Sequence, residues 1–76
     1  MATKTPFPER VALSVDAAIG EAGETSTSIA DATGIPRSTL RRRLLGSSPF
    51  TVAEIASIAH HLGTTPEILI SGQVTA

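Results

Sequence analysis

The chain has 76 residues, of which 41% are hydrophobic and 17% charged, with a formal net charge of −1 and no cysteine. That is the size of one small domain. Disulfides, thiol catalysis and a thiolate zinc site are excluded, and no run of about 18 apolar residues is present to span a membrane. Tryptophan and tyrosine are absent, which removes the stacking platforms that single-stranded nucleic acid needs.

In chain order, residues 1–8 read as a flexible polar tail closed by Pro6-Phe7-Pro8. Its single Lys4 and the lack of a following apolar segment argue against a secretory signal. The expected location is therefore the cytoplasm. Arg10 and Lys4 are both expected in solvent, with a phosphate contact the alternative for Lys4 on such an arm. The prolines suit a helix start immediately after them. From Glu9 to Ala22 the residues Val11, Val15, Ala18, Ile19 and Ala22 fall at helical spacing, with Gly23 as the stop. Leu13 lies off that stripe.

Thr25 offers a cap for a second helix over residues 28–32. Gly34 can turn the chain at positive φ without a Cβ penalty, and Pro36 suits the first turn of a third helix over residues 36–45. Gly46 ends that helix, and Ser47-Ser48-Pro49 is a turn. Thr51-Val52-Ala53-Glu54 is a capping box that opens the clearest amphipathic segment. There Val52, Ile55, Ala56, Ala59 and Leu62 form the expected buried stripe, bordered by Ile58. Gly63 ends the fourth helix. Thr65-Pro66 starts a short fifth one over residues 66–70, followed by a tail over 71–76. No strand pattern is present, so the expected class is all-α, with five short helices in one domain over residues 9–70.

Charge is distributed unevenly. Residues 34–50 carry Arg37, Arg41, Arg42 and Arg43 with no acid, a local +4, whereas residues 1–33 sum to −3 and residues 51–76 to −2. A basic strip on an acidic body disfavours indiscriminate polyanion binding and permits one oriented contact. The strip sits inside the unit 26–46, in which Ala30 is small where two helices must approach. Gly34 makes the corner, and Ile29, Ile35, Leu40 and Leu44 supply the apolar contacts. That is the logic of a helix-turn-helix. At about 100° per residue, Leu40 and Leu44 face the core while Ser38, Arg41, Arg42 and Leu45 face away from it. Arginine pairs bidentately with guanine O6 and N7 in the major groove, and serine can bond a base or a phosphate.

The unit S-T-S-I-A-D-A-T-G-I-P-R-S-T-L-R-R-R-L-L-G, with the capped helix and the T-T-P-E-I-L-I end that follow it, resembles the Cro/C1-type (phage repressor, xenobiotic-response-element) helix-turn-helix family. About 60 of the 76 residues are covered by the resemblance. It implies a compact five-helix, lambda-repressor-like DNA-binding domain that places its third helix in the major groove of a double-stranded operator, usually as a homodimer. It puts Arg37, Ser38, Arg41 and Arg42 at base-reading positions. Ser26, Thr39, Arg43, Ser47, Ser48 and Thr51 come at or near the phosphate backbone. Two departures from the pattern stand out. Arg43 occupies a position where an apolar core residue is common, so Leu44 is expected to supply that contact. Glu24 stands where an apolar residue often precedes the second helix.

Other features have plainer readings. The arginines could instead form a solvated face paired with Asp31, Glu9 or Glu54, and the serines could be caps and turn residues. His60 and His61 are adjacent on a helix and point about 100° apart, so they cannot chelate one ion. Neither a metal nor a cofactor nor a small-molecule ligand is expected. Ile68, Leu69 and Ile70 cannot all face one core; with Leu69 inside, Ile68 and Ile70 are candidates for a dimer seam. No nucleophile–base–acid set, phosphate-cradling loop or H-E-x-x-H motif is present, so an enzyme is not expected. The leading functional expectation is a transcriptional regulator, Cro-like or immunity-repressor-like. The rival is a protein-interaction module, an antitoxin or adaptor, on the same fold.

Overall fold

The computed structural model describes residues 7–71. They form five helices: α1 (Phe7–Glu21), α2 (Ser26–Thr33), α3 (Arg37–Leu44), α4 (Val52–Leu62) and α5 (Pro66–Ser71). There is no strand among the described residues. Lys4, and with it the rest of residues 1–6, lies outside the described residues, as do residues 72–76.

Local chemistry accounts for most of the boundaries. Helix α1 starts two residues before the expected Glu9, taking Pro8 into its first turn, where a missing N–H costs no hydrogen bond. It ends as Glu24 N donates to Ile19 O across a left-handed Gly23. Helix α2 also begins earlier than expected, at Ser26, because Thr25 and Ser28 cap each other reciprocally: Ser28 N donates to Thr25 Oγ1, and Thr25 N to Ser28 Oγ. Gly34 then reverses the chain at φ 79°. Pro36 is the N-cap of α3 rather than its first helical residue, and it makes no side-chain capping bond. Helix α4 carries the full capping box, with Glu54 N donating to Thr51 Oγ1 and Thr51 N to Glu54 Oε1. Thr65 Oγ1 accepts from Ile68 N at the start of α5.

The helices close around one apolar cluster. Val15, Ile29, Leu40, Ile58 and Leu69 are its fully buried centre, one from each helix. Burying an aliphatic side chain of this kind contributes about 1.5–3 kcal/mol. Helix α1 packs on α5 and α3, α4 on α2 and α5, and α2 on α3. Ser14 Oγ donates to Leu69 O at 2.6 Å, tying α1 to α5.

The α4 stripe is rotated from the one expected. Val52 is 88% exposed and Ala56 is also exposed, whereas Ile58 is wholly buried with Ile55 and Ala59. Both stripes satisfy a helical period. The packing of α4 between α2 and α5 selects the arc containing Ile58 and leaves Val52, at the first helical position, beyond the core's edge.

Candidate nucleic-acid interface

Helices α2 and α3 and the three residues between them form the corner on which the basic strip stands. Ile29, Ala30, Ile35 and Leu40 are buried in the joint, and Leu44 packs against it half-buried. The C-terminal end of α3 is fixed by a second contact. Gly46, at φ 79°, lies so close to α1 that a Cβ there would meet Glu9 Cγ at 3.1 Å and Glu9 Cα at 3.6 Å. The orientation of α3 is thus set at one end by α2 and at the other by α1.

On α3 the core arc is centred on Leu40 and Leu44. Ser38, Arg41, Arg42 and Leu45 are exposed on the far side. Arg41 and Arg42 form no ion pair among the described residues, so two cationic forks stand in solvent with their donors uncommitted. Three arginines in the last turn of α3 also complement the negative end of the helix dipole, which stabilises the strip without any ligand.

The other two arginines are engaged. Arg37 Nη2 reaches Asp31 Oδ1 across the turn at 3.3 Å, with both side chains about two-thirds exposed. Such a pair contributes little and exchanges readily for another anion. Arg43 is different. Its Nε donates to Glu54 Oε1 at 2.9 Å, its Nη2 to Glu54 Oε2 at 3.2 Å and its Nη1 to Ser48 Oγ at 2.8 Å. All three nitrogens are occupied, and the two ionic side chains are only 16% and 15% exposed. The pair holds Glu54 below the ordinary carboxylate range, chiefly through the Arg43 hydrogen bond, and raises Arg43 for the same reason. Arg43, expected near a phosphate, is thus committed to a strut between α3, the 45–51 loop and α4. Three residues on from Leu40, about 300° of rotation, Arg43 lies about 60° to the other side of that leucine, which leaves its long side chain facing α4. The Ser48 hydroxyl is engaged by the same strut.

The remaining sequence candidates are spread over the start of α2, α3 itself and the loop and cap that follow it. Ser26 is exposed at the first residue of α2, Ser47 is exposed after α3, and Thr39 is half-buried on α3. Thr51 is exposed at its cap, and its hydroxyl already accepts from Glu54 N.

Glu24, the polar departure before α2, is explained by its neighbours. Its Oε1 accepts from Ser28 Oγ at 2.8 Å, and its Oε2 lies 2.9 Å from His61 Nε2 at the end of α4. The Ser28 bond, followed by the His61 contact, holds the carboxyl below its ordinary value. The capping potential of Thr25 was visible in the sequence; the 37-residue reach from Glu24 to His61 had no local signal.

On α5, Leu69 is buried and Ile68 is 37% exposed. Ile70 is half-buried and, with Val11, Phe50 and Val52, lines an apolar groove of about 200 Å³ between α1, α4 and α5. Ile68 is not part of that lining. Two residues apart on a helix is a rotation of about 200°, so the two isoleucines expected at one seam belong to different faces. No helix among the described residues is long and apolar enough to cross a membrane, and none of their His, Asp and Glu side chains cluster in a group of three that could hold a metal.

The family model described as the BetR domain matches residues 3–76. No curated protein and no solved structure matches the chain.

Proposed function

The chain belongs to the BetR domain family, and on that premise we propose that it is a sequence-specific double-stranded-DNA-binding regulator of the Cro/C1-like kind, reading the major groove with α3. One observation carries the reading: Arg41 and Arg42 stand exposed and without an ionic partner among the described residues, on the outward arc of α3, about 100° and 200° around from its buried Leu40. A rigid helix presenting guanidinium groups outward matches the donor geometry that guanine O6 and N7 accept. Ser38 lies on the same face. Arg37, one exchange away from Asp31, is available to a base or phosphate at the first turn. Ser26, Ser47 and Thr39 are the phosphate candidates that retain uncommitted side chains. A second copy seated on the Ile70 groove would make the domain a homodimer, for which half-sites about one helical turn apart are expected. Binding would act by occluding an operator.

The test is an anisotropy titration of the chain against duplexes selected from a randomised pool, at two salt concentrations. Binding that is sequence-dependent and falls with salt, and that weakens in Arg41→Ala and Arg42→Ala by a factor corresponding to about 1–3 kcal/mol each, supports the reading. A double alanine variant that binds as tightly as the parent sinks it. The apolar groove and the 88% exposure of Val52 favour one rival, a protein-interaction module. That rival predicts no duplex binding and a stable complex with a protein partner.

A further inference from the structure

We infer that Leu45 reads a thymine: its side chain is an apolar contact for the C5-methyl group of one T·A pair beside the guanine-reading arginines. This deepens the DNA-binding proposal and rests on it.

An isolated exposed leucine on a protein surface needs no explanation. Leu45 is set apart by its register. It is 70% exposed, although it immediately follows Leu44, which packs against the core. Counting from Ser38, Arg41, Arg42 and Leu45 are at +3, +4 and +7, the spacing of a single helical stripe. At about 100° per residue the four fall within an arc of roughly 100°, with Leu45 between the two arginines in angle and one turn beyond them along the axis. The backbone at Leu45 is still right-handed helical, at φ −79° and ψ −7°, so the stripe continues through it before Gly46 turns the chain away.

Dimensions fit one groove. Seven residues of helical rise separate Ser38 from Leu45, about 10 Å, against a major groove about 12 Å wide. A surface that meets Arg41 and Arg42 together also lies over Leu45, and an anionic rim around an apolar spot complements all three. Duplex DNA has both, because thymine is the base that places a methyl group in the major groove. Charge complementarity points to the same occupant: the two cations flanking this leucine have no carboxylate of the chain against them among the described residues.

The experiment uses the full chain and a pool of duplexes with a randomised core. The enriched duplex is then synthesised with deoxyuridine in place of each thymine in turn, which deletes the methyl group and preserves every hydrogen-bonding edge. The expected result is a loss of roughly fourfold in affinity at one thymine, the worth of removing about one buried methylene-sized group. Leu45→Ala should bind the thymine duplex with that same weakened affinity and no longer distinguish thymine from deoxyuridine. Leu45→Met should keep the distinction. Failure of the pool to enrich any sequence overturns the DNA-binding reading and this inference with it. Enrichment that depends on Arg41 and Arg42 but tolerates deoxyuridine at every position overturns this inference alone. So does a Leu45→Ala variant whose sedimented mass changes while its discrimination of the methyl group persists, since that leucine would then be a protein contact.

Discussion

Arg43 lies edge-on to the Glu54 carboxylate, with Nε 2.9 Å from Oε1 and Nη2 3.2 Å from Oε2. The same carboxylate caps α4 by accepting from Thr51 N. One side chain therefore ends the 45–51 loop, starts α4 and anchors α3. The pair is shielded by its surroundings and bidentate, the geometry in which an arginine–carboxylate contact is strongest.

Arg43→Ala should consequently act on stability first. Its thermal midpoint, followed by circular dichroism, should fall, and Glu54→Gln should lower it too because an amide cannot accept both N–H groups. The double Arg43→Ala/Glu54→Ala variant should fall by less than the sum of the two single variants, the signature of a direct pair. A phosphate-contacting arginine would behave the opposite way, with an unchanged midpoint and a salt slope reduced by about one.

Acid should weaken the fold through the same carboxylates. Glu54 and Glu24 are both held below their ordinary value in the folded chain, Glu54 chiefly by Arg43 and Glu24 chiefly by Ser28. A depressed folded value means the unfolded chain takes up protons first. The stabilisation is thus complete above the unfolded value of about 4.3 and is lost as pH falls through the lowered folded values. Urea titrations between pH 7 and pH 3 should show this decline, and it should be shallower in Glu54→Gln. An unchanged slope in that variant would refute the assignment.

Gly34→Ala isolates backbone strain. The residue sits at φ 79°, and a Cβ there meets nothing within 4 Å, so the cost is the left-handed conformation alone, about 1–2 kcal/mol. Gly34→Asn should cost less, since asparagine tolerates that region better. Equal losses in the two variants, measured by denaturant titration, would point to a steric cause instead.

The rotated face of α4 makes a paired prediction. Ile58→Ala should destabilise by about 2–5 kcal/mol, as for other buried aliphatic truncations. Val52→Ala should stay within about 0.5 kcal/mol, as for surface positions. The stripe expected from the sequence would have ranked them the other way round, and chemical denaturation of the two variants decides it.

The helices themselves were legible in the chain because their ends are short-range chemistry. The Thr51/Glu54 box, the Gly34 corner, the Gly46 and Gly63 stops and the Thr65 cap each involve groups a few residues apart, so side-chain identity and spacing suffice to place them. The outward stripe on α3 was legible for the same reason: Leu40 and Leu44 define an inside, and a helical period then defines an outside. Which arginines remain uncommitted was a different matter. Arg43 is held by a carboxylate eleven residues away, Glu24 reaches His61 thirty-seven residues away, and Ile58 displaced Val52 from the core because α2 and α5 approach α4 from its side. A periodicity specifies an arc on one helix. The direction in which that arc meets its neighbours is set by how all five helices fill a shared interior, which no single segment encodes.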